Sequence, residues 1–235
     1  MTEFNLRIPE YTDKLVIAEL NYWASSVGIR TNTANWHMIV QDWIKDNPVT
    51  FQKLDVNFVI SPILKSYHNW KHMAHVLSVA MQLCVFFEVN TCRRFNVFIA
   101  CMFHDERHTM GKFKDDINIA IAIDRINTIF TPSVIAELGV VSYFSFRDIR
   151  ELVKPTQFPF VIEPTYDLQK YIRDADLTMA LSRNAEYFAE GLSNEVGVPI
   201  GTFSQKTMVD FALSQTLYFD CIRNELLTLQ KSLEV

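Results

Sequence analysis

Five of the six histidines in this 235-residue chain fall within one window, residues 67–110. The window opens with YHNWKH and closes with FHDERH. At each end two histidines are four residues apart, His68 with His72 and His104 with His108. Residues i and i+4 share one face of a helix, so each pair can approach a small ligand together. This pattern predicts two helices whose histidine-bearing ends meet, which strongly limits how the chain can fold.

Two further features of the sequence favour a metal ion as the shared ligand. His75 lies close to the face of the first histidine pair, and each buried imidazole needs a hydrogen-bond partner. Asp105 directly follows His104, and an apolar helix that buries this carboxylate without a cation is destabilised. A divalent ion removes both conflicts. We expect a further carboxylate ligand from the segment YIRDADLTMAL, at Asp174 or Asp176.

The composition predicts an all-α fold. Six glycines and eight prolines leave little material for the tight turns of a β fold. Residues 93–105 form a segment that is apolar nearly all round, as in a helix at the centre of a bundle. We predict one helical domain over 1–235, a core that carries the motifs over about 61–191, N-terminal helices within 1–50, one long helix over 166–191 and a C-terminal helix over 204–235.

Charge and apolar runs indicate which partners to expect. A formal charge of −5 argues against duplex nucleic acid, because such binding depends on a surplus of Lys and Arg. A small phosphorylated substrate is compatible with this charge, since a metal ion supplies positive charge locally. The sequence shows no apolar run of the ~18 residues needed to cross a membrane, no signal pattern and no CxxC pair. We therefore expect a cytoplasmic protein with reduced cysteines; its oligomeric state stays open.

These motifs resemble those of the HD superfamily of metal-dependent phosphohydrolases, in which the order is H…HD…D. YHNWKHMAHV and HDERHTMG are similar to the YHNxxHxxxV and HDxxHxG signatures of cyclic nucleotide phosphodiesterases. The compact length and the DADL segment are similar to small bacterial and phage HD hydrolases. The resemblance covers about residues 66–187. The phosphodiesterases carry an Asp where this chain has His75, and we place no counterpart of their purine-binding Gln and stacking Phe.

The resemblance implies a helical HD fold, one or two divalent ions (Mn, Mg, Zn, Fe, Co or Ni) and a role for each motif residue. The implied metal ligands are His72, His104, Asp105 and Asp176, where the family's last ligand is the Asp of Ala-Asp-Leu. The implied catalytic residues are His68, which protonates the leaving oxygen, and His108, near the attacking water and the phosphate. Candidate contacts to the substrate are Asn69, Lys112, Gln157 and Phe158.

The predicted reaction is hydrolysis of a nucleotide-type phosphoester by water. A divalent ion lowers the pKa of a bound water toward ~7, and an imidazolium protonates the departing oxygen. A phosphodiester or cyclic nucleotide is favoured over a nucleoside mono- or triphosphate. Two other classes stay open: a non-catalytic module that binds metal, and a di-iron oxygenase, which needs further histidines although none follows His108.

Overall fold

The computed structural model describes residues 4–8, 12–46, 67–109 and 114–234. Within these residues the chain forms eleven α-helices, two short 3₁₀ turns and no strand, which confirms the all-α prediction. The α-helices are α1 Asp13–Ser26, α2 Ala34–Asp46, α3 Trp70–Phe86, α4 Thr91–Phe103, α5 Asp115–Ile129, α6 Pro132–Leu138, α7 Phe146–Val153, α8 Asp167–Asp176, α9 Ala185–Val196, α10 Gln205–Ser214 and α11 Asp220–Ser232. The 3₁₀ turns are Lys154–Thr156 and Met179–Leu181.

Helices α3 and α4 form the centre of the fold. Helix α3 buries most of its residues and packs against α1, α4 and α8, while α4 also packs against α7. The predicted buried helix over 93–105 is confirmed, because α4 buries every residue from Phe95 to Phe103. Burying the apolar side chains of two adjoining helices is the main source of stability here. The same packing fixes the ends of α3 and α4, where the histidine motifs lie.

Helix α3 begins inside the first motif. The side-chain oxygen of Asn69 accepts hydrogen bonds from the backbone N–H groups of Lys71 and His72, as an N-terminal cap does. The cap therefore sets the helical register in which His72 faces inward. The first residues of the predicted core, up to residue 66, lie outside the described residues.

The predicted long helix over 166–191 is wrong. Helix α8 ends at Asp176, a 3₁₀ turn follows, and α9 begins at Ala185. The break comes at Thr178, whose hydroxyl and backbone N–H both donate to the carbonyl of Ala175. A threonine hydroxyl that bonds a nearby carbonyl competes with the regular helical pattern. The chain thus turns away directly after Asp176.

The predicted single C-terminal helix over 204–235 is also wrong, because α10 and α11 are separated by residues 215–219. In this linker the backbone N–H groups of Tyr218 and Phe219 donate to the carboxylate of Asp174, at 2.9 Å to Oδ2 in both cases. Asp174 is fully buried. The carboxylate therefore supplies the acceptor that two linker amides need away from water, and it attaches the linker to α8.

Among the described residues, no single helix is both long enough and apolar enough to cross a membrane. Helices α5 and α6 meet this test of length and composition only when taken together, with a bend of 72° between them.

We expect Asp174→Ala to lower the free energy of unfolding by about 2 kcal/mol, because two buried amides lose their acceptor. Asp174→Asn, which keeps one acceptor oxygen, should cost less. Urea denaturation of the two variants and the native protein measures both effects. Asp167→Ala is a suitable control, since the Asp167 side chain is largely exposed on the same helix. Equal loss in the Asp174 and Asp167 variants would contradict the anchoring role.

Candidate metal centre

The structure brings the four predicted metal ligands into one cluster. His72 comes from α3, His104 and Asp105 from the turn that directly follows α4, and Asp176 from the last residue of α8. One donor atom from each lies within 4.8 Å of all the others. The separations are 3.0 Å from His72 Nε2 to Asp105 Oδ2, 3.2 Å from His72 Nε2 to Asp176 Oδ1, 3.1 Å from His104 Nε2 to Asp105 Oδ2, and 3.7 Å from His104 Nε2 to Asp176 Oδ1.

The imidazole nitrogens show that these residues fit a cation. The Nδ1 of His104 donates to the carbonyl of Cys101 at 2.8 Å, which leaves Nε2 directed at the cluster. His104 Nε2 and both ring nitrogens of His72 are buried and make no hydrogen bond of acceptable geometry within the described chain. Buried nitrogens without partners are costly. A divalent ion held by the two Nε2 atoms and two carboxylate oxygens supplies the missing partner.

The two carboxylates are ionised and so present negative charge to the cation. Burial acts to raise the pKa of Asp105 and Asp176, but the nearby imidazoles, His104 above all, outweigh it and hold both pKa values below the usual range. For His104 burial acts to lower the pKa, but Asp105 and Asp176 outweigh it and raise this pKa well above 6.5. The cluster thus attracts a positive charge, and a metal ion provides it in place of protons on the imidazoles.

The choice between the two candidate aspartates is settled by their positions. Asp176 lies in the cluster, whereas Asp174 faces the linker between α10 and α11. Residues two positions apart on a helix point about 200° apart around its axis, because one turn has ~3.6 residues. The end of α8 therefore presents the carboxylates of Asp174 and Asp176 in nearly opposite directions. The prediction of Asp176, which is the Asp of the Ala-Asp-Leu sequence, agrees with this geometry.

His75 supports the cluster from outside it. Its Nε2 lies 2.9 Å from the hydroxyl of Thr178, and that hydroxyl donates to Ala175. The hydroxyl has one proton, so His75 Nε2–H is the donor. Burial, with the nearby His72, lowers the pKa of His75 to about 3, so the ring is neutral. His75 therefore connects α3 to the turn that follows Asp176, as residues around metal ligands commonly do.

His68 lies beside the cluster and carries a proton. Its Nδ1 is 2.6 Å from Glu195 Oε2, and Glu195 Oε1 accepts from the backbone N–H groups of Tyr67 and His68. Burial acts to lower the pKa of His68, but Glu195 and Asp105 outweigh it and raise the pKa to about 9. Glu195 therefore holds the proton on Nδ1 and orients the ring of His68.

Sequence reasoning missed Glu195. It lies in α9, 127 residues after His68, within the polar segment SNEV. A single acidic residue near a helix end has many solvent-exposed counterparts in any sequence. No local signal marked it, because its role arises only when α9 packs beside the first motif.

His108 stacks on His68, with ring centroids 3.7 Å apart. Its Nε2 accepts from Asn118 Nδ2 at 2.8 Å, and the orientation of this amide is set by Thr109, whose N–H donates to Asn118 Oδ1. Asp115, considered from sequence as a supporting carboxylate, accepts from the same amide. His68, Asp105 and His108 also form a second group of donor atoms within 4.8 Å.

The cluster opens into a cavity of about 700 Å³. Asp105, Asp176, His68 and His108 line its inner end. The remaining lining comes mainly from α8 and the turn after it, from α9, from α10 and from the loop after α7. The apolar residues of this lining are Phe158, Phe160, Leu177, Met179, Ala180, Leu192, Val196, Phe203, Met208 and Phe211.

The candidate substrate contacts have different positions. Phe158 lines the cavity, and its backbone N–H donates to Asp115 Oδ2 at 2.6 Å. Gln157 is not among the cavity-lining residues, although it is adjacent in sequence. Asn69 caps α3 and is fully buried outside the lining. Lys112 lies outside the described residues.

A comparison of the chain with models of protein families and a search of curated proteins gave no match. The helical fold and the buried cluster of two histidines and two aspartates fit the HD-type fold that the motifs resemble.

We expect Asp176→Asn to lose stoichiometric metal, because it removes a charged ligand from the cluster. Asp174→Asn should retain it, since that side chain faces the linker. Elemental analysis after loading with Mn²⁺ or Zn²⁺ and desalting measures both. His104→Ala provides a second ligand variant, and the exposed His37→Ala a histidine control. Equal metal content in the Asp174 and Asp176 variants would contradict the assignment of the ligands.

Proposed function

We propose that this protein is a metal-dependent phosphohydrolase that acts on a nucleotide-type phosphoester, with a monoester or diester favoured over a triphosphate. The observation that carries the proposal is the position of His68. A protonated imidazole lies against a buried cluster suited to a divalent cation, and both line the inner end of one cavity. A phosphoester needs this combination of positive charge and a proton donor.

His72, His104, Asp105 and Asp176 would hold the ion. When bound, a divalent ion neutralises phosphate oxygens and lowers the pKa of a water at the site. The two histidines are fully buried, whereas the side chains of Asp105 and Asp176 are 11% and 17% exposed and reach the cavity. These residues would bind an ion from the protein side, and the cavity side would be open to a substrate, as in catalytic sites.

His68 is the proton donor in this proposal. Glu195 holds Nδ1–H and fixes the orientation of the ring. In this proposal the imidazolium donates a proton to the oxygen that leaves phosphorus. Asp105 is ionised and belongs to both groups of donor atoms, which places it to accept the proton of the attacking water. His108, stacked on the ring of His68, restricts its movement.

The wall of the cavity supports the choice of a small phosphoester. Away from the metal cluster, the cavity is lined mostly by phenylalanine, methionine, leucine and valine side chains. A second or third phosphate along this wall would lose hydration without gaining charged partners from these side chains. One phosphate at the inner end, with an organic group toward the wall, matches the distribution of polar and apolar atoms.

The proposal is tested by a hydrolysis screen with Mn²⁺, Mg²⁺, Co²⁺ or Zn²⁺ on cyclic nucleotides, aryl phosphodiesters, and nucleoside mono- and triphosphates. We expect metal-dependent release of product from at least one mono- or diester. His68→Gln should lower kcat by about 10²-fold or more while metal content is unchanged, as loss of a general acid does. His37→Gln should behave as the native protein. Inertness of the metal-loaded protein toward the whole panel would overturn the proposal.

A pH prediction follows from the pair of His68 and Glu195. The acid must be protonated, so activity is present below the pKa of His68 and is lost as the pH rises through it. Glu195 raises this pKa, toward about 9 before the charge of a bound cation lowers it. Glu195→Gln keeps a side chain of similar size and removes the charge, so the alkaline limb of kcat against pH should move to lower pH. An unchanged limb would contradict the role of Glu195.

A further inference from the structure

Building on the proposed function, we propose that the cavity binds a flat aromatic group in the organic part of the substrate through contacts with its own aromatic side chains. In this proposal the site makes no hydrogen bonds to the polar atoms at the edge of that group. A nucleobase satisfies this description, and so does a plain naphthyl ring. The inference depends on two observations about the cavity wall: how its aromatic side chains are arranged, and where its polar side chains direct their donors.

Phenylalanine rings from separate segments meet at the mouth of the cavity. Phe158 contacts Phe160 edge to face at 5.4 Å between centroids, and Phe211 of α10 at 5.8 Å. Phe158 is fixed through its backbone N–H, which donates to Asp115. Aromatic rings in such contact are well placed to accept a further ring against a face or an edge.

The same rings are unusually exposed for their type. Phe158 is 50% and Phe211 44% exposed, and Val196 across the cavity is 59% exposed. Isolated apolar residues on a surface need no explanation, but these three line one cavity together. Covering them with an apolar group of a ligand would remove their surface from water, which favours binding.

The polar side chains in this part of the lining direct their donors into the protein. The hydroxyl of Thr207 donates to the carbonyl of Ser204, within the cap of α10. The hydroxyl of Thr156 donates to the carbonyl of Val153. The amide of Asn118 donates to His108 and Asp115.

Glu195, the remaining acidic side chain of the wall, is held by three interactions with Tyr67 and His68. An acceptor of a ligand could bond the donors of Thr156, Thr207 and Asn118 only by displacing their present partners. A site distinguishes two flat ligands of equal shape mainly when the wrong ligand leaves a polar group of the site unpaired. Because these three donors are already paired within the protein, this part of the wall supplies little of that discrimination.

Adenosine and guanosine test the inference because they share one ring system and present opposite hydrogen-bonding groups at its edge. We expect their Kd values for the full-length chain loaded with Mn²⁺, measured by isothermal titration calorimetry, to agree within about threefold. 2-Naphthol, which has no base edge and no sugar, should also bind, whereas ribose should not. A difference above about tenfold between the two nucleosides, or no binding of 2-naphthol, would overturn the inference.

Two matched variants place the binding in the cavity. Phe211→Ala should weaken binding of 2-naphthol by about fivefold, since it removes a partly exposed ring from the wall. Phe87→Ala removes a ring of similar exposure, 42%, that does not line the cavity, and should leave Kd unchanged. Equal effects of the two variants would also overturn the inference. These titrations involve no hydrolysis, so a protein that binds 2-naphthol but cleaves no phosphoester would refute the proposed function alone.

Discussion

The structure depends on one electrostatic constraint: two imidazoles and two carboxylates meet in a place that water hardly reaches. Without a cation, three of the four ring nitrogens have no hydrogen-bond partner among the described residues, and carboxylate oxygens of Asp105 and Asp176 lie within 4.8 Å of each other. The apolar packing of α3 and α4 holds these groups in that arrangement. A divalent ion bound to this cluster would offset the cost of burying these groups, so folding and metal binding would favour each other.

Hydrogen bonds from surrounding residues hold the groups in and beside this cluster in position. Cys101 fixes the tautomer of His104, and Thr178 connects His75 to the turn after Asp176. On the cavity side, Glu195 determines the protonation of His68. The contact at the end of α4 is local, whereas the other two join segments that are more than 100 residues apart in the sequence. The reactive groups therefore have defined positions even though they come from the ends of helices, where backbone order is usually weakest.

The sequence was sufficient to predict the helical class, the buried α4 and the four residues that meet in the His/Asp cluster, because each has a local signal in spacing, motif or apolar pattern. It failed at the breaks after α8 and α10. Both lie in segments of favourable helical composition, and in each case a side chain changes the path of the backbone. Thr178 bonds a carbonyl of α8, and Asp174 bonds amides of the linker 215–219. The second contact, and that of Glu195 with His68, joins residues far apart in the chain, so local pattern could not reveal it.

The last two aspartates of α8 direct their carboxylates to opposite sides of the helix, and this arrangement has a further consequence. Asp176 reaches the metal cluster, and Asp174 holds the linker that sets the position of α10 and so of Phe211 on the cavity wall. Only one residue separates the two, so the end of α8 cannot move for one contact without moving for the other. A displacement of this helix end would therefore shift a group of the His/Asp cluster and the linker behind the cavity wall together.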